Sequence, residues 1–265
     1  MAKQHVRGKG RLRILKKILL GTGLIIVAFI LIVIATLYWQ AIQKPTGTPR
    51  LVALGSSFAA GIGLGDRPAG SPIVCQRSLN SYPQQLARMR DLSLVDMSCS
   101  GATTLHVRDG GQAFLGPQLG GLAKNTKWVT LTAGGNDVSY VGDLSFLAGG
   151  KDQTFMGWAL RQFWSGPKRS EQRDFAKLRT VLASTLAQIK QRAPQATIIV
   201  VTYPTILPET GTCANLGLSS AEADEMRNVG NSLAALTSAI AQDAGALVVD
   251  MHKLGAGHDA CSAEP

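Results

Sequence analysis

Histidine is scarce in this 265-residue chain, with four in all, and the first 17 residues contain no acidic side chain. The four cysteines never fall at C-x-x-C spacing, so they lack the pattern of a metal site. No segment repeats at a fixed period. Charged residues make up only 17% and hydrophobic ones 45%, too apolar a balance for a disordered protein. The formal charge of +10 suggests a polyanion partner until its distribution is read. Lys3, Arg7, Lys9, Arg11, Arg13, Lys16 and Lys17 crowd the N-terminus, leaving 20 basic against 17 acidic residues in the remainder. A nearly neutral body removes the case for nucleic-acid binding.

Beyond the basic tail (1–17) lies ILLGTGLIIVAFILIVIATLYW, residues 18–39, uncharged and long enough to cross a bilayer as a helix. A cleaved signal has a shorter apolar region and a small-residue cleavage site. This run ends instead in Tyr38 and Trp39, side chains suited to a membrane interface, so it reads as a retained transmembrane anchor. The positive charges place the N-terminus in the cytoplasm and everything beyond Gln40 outside it. Residues 40–49, with Pro45 and Pro49, read as a linker, and 50–265 as the domain.

All four cysteines, Cys75, Cys99, Cys213 and Cys261, lie beyond the apolar run. Three pairings are open to them. Cys75 with Cys99 and Cys213 with Cys261 are the most local, and an oxidising compartment would let them form. The alternative is four buried free thiols.

Short apolar runs alternate with helix-patterned segments. The runs are Arg50–Leu54, Leu92–Met97, Trp128–Thr132, Ala196–Tyr203 and Ala246–Met251, and their near-continuous apolar character suits strands covered on both faces. Phe175, Leu178, Leu182, Leu186 and Ile189 recur at helical spacing up to Pro194, as do Met226, Val229, Leu233, Leu236 and Ile240. Ser219 and Glu222 form a capping box before the second set. Five strands alternating with helices predict a three-layer α/β/α sandwich around a parallel sheet. Between 142 and 170, Phe155, Trp158, Leu160, Phe163 and Trp164 form an aromatic stretch, readable as a core-packing helix or as a flap over an apolar substrate or membrane.

In an open parallel sheet, ligands gather at the carboxyl ends of the strands. Three small, polar, glycine-bearing segments fall at that edge: Ser56-Ser57, then SCSGATT at 98–104, then Gly134-Gly135-Asn136-Asp137. A serine hydroxyl at such a turn can attack a carbonyl if a base takes its proton. The oxyanion that forms needs donors already in place, which a glycine N–H and an asparagine amide can supply. Ser57, Gly101 and Asn136 fit these roles.

GSSFAAG, SCSGATT and GGND resemble the first, glycine and asparagine blocks of the SGNH, or GDSL, hydrolase family, in matching order over residues 50–250. The resemblance is closest to its secreted actinobacterial lipase and esterase branch, which is disulfide-bonded and uses no metal or other cofactor. It implies Ser57 as nucleophile, with the oxyanion held by the N–H groups of Ser57 and Gly101 and the side chain of Asn136. Ser56 stands where the family usually has an acid, a minor departure.

The family's catalytic histidine lies in a C-terminal D-x-x-H segment, and this sequence shows none. His5 is cytoplasmic, His106 reads as a solvent or loop residue, and His252 follows Asp250 at the wrong spacing. His258, in GAGHDACSAEP, resembles a stretch that precedes the catalytic segment in similar lipases. Either the chain is truncated before the base, the reading favoured here, or His258 substitutes for it, or catalysis has been lost. The resulting expectation is a monomeric, membrane-anchored, extracytoplasmic serine esterase or lipase acting on esters, which the aromatic stretch suggests are lipidic. Its rival is an inactive SGNH fold that binds lipid or glycan at the cell surface.

Overall fold

In a computed structural model, residues 3–43, 48–149, 158, 162 and 166–264 are described. The chain begins with helix α1 (Lys3–Ile42), whose segment Lys16–Ile42 is long and apolar enough to cross a membrane and has no buried residue in its most apolar stretch. The domain then alternates β1 (Leu51–Gly55), α2 (Ser57–Ala60), α3 (Tyr82–Met89), β2 (Leu94–Asp96), α4 (Thr104–Asp109), β3 (Trp128–Thr132), α5 (Tyr140–Gly149), α6 (Phe175–Arg192), β4 (Thr197–Val201), α7 (Ser220–Asp243), β5 (Leu247–Val249) and α8 (Met251–Leu254).

All strands are parallel, in the order β2-β1-β3-β4-β5. This is the predicted five-stranded sheet. β3 coincides with its apolar run and β1 is shifted from its run by one residue, whereas β2, β4 and β5 are shorter than theirs. A ladder extends only as far as its neighbour, and β2 and β5 are three-residue edge strands, each paired on one side. Ser219 and Glu222 close the expected capping box on α7. On α6, Leu178, Leu182, Leu186 and Ile189 are buried as their spacing predicts, each contributing about 1.5 to 3 kcal/mol of apolar burial.

The expectation that both sheet faces are covered holds unevenly. Successive right-handed connections from β2 to β3, β3 to β4 and β4 to β5 all step the same way across the sheet, so α4, α6 and α7 share one face and pack on one another. Only the β1–β2 connection steps back, and its helix α3 covers the other face. Ile198 and Val200 are buried, whereas Leu247 and Val249 remain exposed, and an apolar cavity of about 530 Å³ lies along the open face, bordered by Phe58, Tyr82, Leu86, Ile199 and Val201. Of the aromatic stretch, Trp158 is half exposed; the rest of 150–165, apart from residue 162, lies outside the described residues.

Candidate active site

The three polar turns meet at the carboxyl edge, and hydrogen bonds to backbone carbonyls knit them together. Ser56 N–H donates to the Thr132 carbonyl at 2.8 Å, joining the first turn to β3. Cys99 N–H donates to the Gly55 carbonyl at 3.0 Å, joining the second turn to β1. Asn136 Nδ2 donates to the Ala102 carbonyl at 2.8 Å, joining third to second and leaving one amide N–H of Asn136 for a ligand.

Ser57 begins α2, and Ser56 is its N-cap. The strand can turn so sharply because Gly55 has φ +130°, and a Cβ there would stand 2.1 Å from the Thr132 carbonyl oxygen. Ser57 is half-buried and its hydroxyl has no hydrogen-bond partner among the described residues. Gly101, at φ +80°, is exposed, and the space a side chain would fill is open except for Gln112 Nε2 at 3.4 Å. Its neighbour Ser100 is held by Gln112 Nε2, which donates to the Ser100 carbonyl at 2.6 Å, and by its own N–H donating to the Cys75 carbonyl at 3.1 Å.

Both disulfides take the local pairing, Cys75–Cys99 and Cys213–Cys261. The first is fully buried and ties the glycine turn to the turn at Ile73–Cys75. Among the described residues no group of three or more His, Cys, Asp or Glu side chains could hold a metal ion.

Asp137 braces the arrangement from behind. Its carboxylate accepts the Thr104 N–H at 3.0 Å and the Thr104 hydroxyl at 2.5 Å. Burial pushes its pKa upward, against the pull of those hydrogen bonds. His106 is not the solvent or loop residue the sequence suggests. It is half-buried in the first turn of α4, where Nδ1 accepts the Thr103 N–H at 3.1 Å in a capping box, a role that residues three apart at a helix start allow. His252 Nε2 pairs with Asn231 Oδ1 at 2.8 Å, and exposed His258 uses Nδ1 on the Glu264 carbonyl at 3.0 Å. None of these histidines hydrogen-bonds to Ser57.

Two supporting residues escape sequence reasoning. Tyr203, fully buried after β4, hydrogen-bonds through its hydroxyl to Ser56 Oγ at 2.5 Å, and burial pushes its pKa up to about 12. Gln118, also buried, pairs with both backbone groups of Gly55. Tyr203 ends an apolar run and looks like core; Gln118 lies in an unpatterned connection. Neither carries a sequence signal for its role.

A sheet edge that gathers a serine turn, a glycine turn and an asparagine turn is the arrangement of an SGNH-type ester hydrolase. The pattern of the GDSL-like Lipase/Acylhydrolase family matches residues 53–265, and the chain belongs to that family of carboxylic ester hydrolases. It is 31% identical over 231 residues to Lipase 2 of Streptomyces coelicolor, covering 83% of this chain and 75% of that one. The Lipase of Streptomyces rimosus is 30% identical over 225 residues, covering 81% and 74%. Among solved structures, phospholipase A1 from Streptomyces albidoflavus is similar with a TM-score of 0.63 at 28% identity, covering 80% of this chain and 83% of that one. The extracellular lipase from Streptomyces rimosus gives 0.60 at 28%, covering 81% and 85%.

Proposed function

We propose that this chain hydrolyses carboxylic esters through an acyl-serine at Ser57, on a domain held outside the cytoplasm by α1. The observation that carries the reading is the Asn136–Ala102 hydrogen bond, which ties the asparagine turn to the turn carrying exposed Gly101, at the sheet edge where β1 also leads into Ser57. Ser57 Oγ attacks the ester carbonyl as its proton passes to a base. The carbonyl oxygen becomes an oxyanion facing the N–H groups of Ser57 and Gly101 and the Asn136 amide. Collapse expels the alcohol, and water then releases the acid and regenerates the serine. No side chain among the described residues hydrogen-bonds to the Ser57 hydroxyl, so this structure does not assign the base. An oxyanion hole alone leaves only a residual rate, so the base decides turnover.

Placement outside the cytoplasm is supported by seven basic residues before the uncharged stretch 18–39 of α1 and by two disulfides beyond it. A lipidic ester is supported by similarity to proteins named lipase and phospholipase A1.

Labelling with a short, water-soluble fluorophosphonate tests the reading: Ser57 should be modified, and Ser57→Ala should abolish the signal. Asn136→Ala should slow labelling about 10²- to 10³-fold. A wild-type chain that never reacts supports the inactive binding fold instead. His258→Ala reports on the base, since unchanged ester hydrolysis would remove His258 from the mechanism.

A further inference from the structure

The end of α1 rests on the candidate site's own scaffolding. The Tyr38 ring meets the Phe114 ring edge-on, with centroids 6.3 Å apart. One half-turn later, Gln40 Oε1 accepts the Ile73 N–H at 2.9 Å. Phe114 closes the turn Gln112–Phe114 and Ile73 opens the turn Ile73–Cys75, and these are the two turns that grip Ser100. Gln112 holds the Ser100 carbonyl from one side, while Cys75 holds its N–H and the Cys75–Cys99 bridge its neighbour from the other. Gly101 is the next residue.

Both contact residues show large apolar surface where a soluble domain gains nothing from it. Phe114 is 56% and Ile73 54% exposed. Phe114 and Ala113 both have positive φ, at +68° and +46°, a conformation costing about 1 to 3 kcal/mol at each non-glycine residue. Such strain persists only where the surroundings impose it, and here it holds an apolar ring outward.

Depth along the helix says what faces that ring. From Lys17 to Tyr38 the chain climbs roughly 32 Å at about 1.5 Å per residue, close to the hydrocarbon thickness of roughly 30 Å. With α1 spanning the bilayer as proposed above, Tyr38 lies at the outer interface, and Phe114, in contact with it, lies at the same level. We propose that the Phe114 and Ile73 turns are seated in the outer membrane–water interface, so that the Ser57 edge takes esters directly from the bilayer. The substrate class is then a membrane-resident acyl lipid. This inference rests on the serine-esterase reading for its substrate, and for the membrane contact on the reading of α1 as the membrane span.

The test uses the full chain in phospholipid nanodiscs, with 4-trifluoromethyl-phenylalanine placed at Phe114 and, separately, at Leu247. Leu247 is exposed and begins β5, at the amino edge of the parallel sheet, away from the Ser57 edge. A nitroxide on the lipid headgroup should broaden the fluorine signal at 114 several-fold more than at 247, and a soluble gadolinium chelate should do the reverse. Equal responses at both positions overturn the membrane contact. In the same nanodiscs, a long-chain alkyl fluorophosphonate dissolved in the bilayer should label Ser57 several-fold faster than a short soluble one at equal total concentration. Labelling by the soluble probe alone overturns the substrate class. No labelling by either, with 114 still lipid-exposed, overturns the esterase reading and the substrate class together and leaves the membrane contact standing.

Discussion

Gln118 completes the backbone of Gly55 as a neighbouring strand would: its Oε1 accepts the Gly55 N–H at 2.7 Å and its Nε2 donates to the Gly55 carbonyl at 2.9 Å. Gly55 is the last residue of β1, and β2 is too short to pair with it. The side chain therefore satisfies a buried N–H immediately before Ser56 and Ser57, where the chain must leave the sheet.

Gln118→Leu keeps the volume and removes that partner. The Gly55 carbonyl retains the Cys99 N–H, but the Gly55 N–H is orphaned, at a cost of about 1 to 3 kcal/mol. Urea denaturation should show the loss, and fluorophosphonate labelling of Ser57 should slow in the folded variant. Labelling at the wild-type rate would mean that the turn holds its shape without Gln118.

Arg173 and Asp143 form an ion pair at 2.8 Å with neither side chain exposed. Arg173 Nη1 also donates to the Val138 carbonyl, two residues after Asn136, at 2.5 Å. Arg173→Met removes the cation facing a buried carboxylate, which keeps the Lys168 N–H at 3.1 Å, and should cost about 3 to 5 kcal/mol, much of it restored when Asp143→Leu is added. Thermal and urea unfolding of the single and double variants measure this directly. No recovery in the double variant would place the loss in packing and not in charge.

The raised pKa of Asp137 has a definite sign in stability. The folded state holds this proton to higher pH than the unfolded chain, so stability falls as pH rises from the ordinary carboxylate range through the raised value. Asp137→Asn removes that dependence. The wild-type stability relative to the variant should thus decline with increasing pH across this window. A relative stability that increases with pH would show that the Thr104 hydrogen bonds outweigh burial.

The two disulfides should open in order. Cys75 and Cys99 are buried, whereas Cys213 and Cys261 are partly accessible. Mild reductant followed by differential alkylation and mass spectrometry should find Cys213–Cys261 modified first. Simultaneous opening would indicate that the domain unfolds globally before either bridge reacts. In the chain-entropy model, the bridges, spanning 24 and 48 residues, stabilise the fold by about 3.5 and 4 kcal/mol respectively.

Much was decided by the order of residues alone. The apolar runs marked all five strands, because a strand in a parallel sheet needs little beyond a run of apolar side chains bounded by turns. The spacing from Leu178 to Ile189 and the pair Ser219 and Glu222 marked two helices, since helical period and capping are local properties. Ser57, Gly101 and Asn136 stood out because each sits in a small-residue turn after a strand. Other features depended on which segments the fold brings together. Gln118 reaches Gly55 across 63 residues and Tyr203 reaches Ser56 across 147, and no local pattern encodes such a meeting. His106 became a capping residue only when Thr103 was seen to end a turn. The open face of the sheet came from the handedness of the connections, a property of the topology and not of any strand. The contact of Tyr38 with Phe114 likewise exists only because the chain returns, after the whole of β1 and β2, to the end of its own first helix.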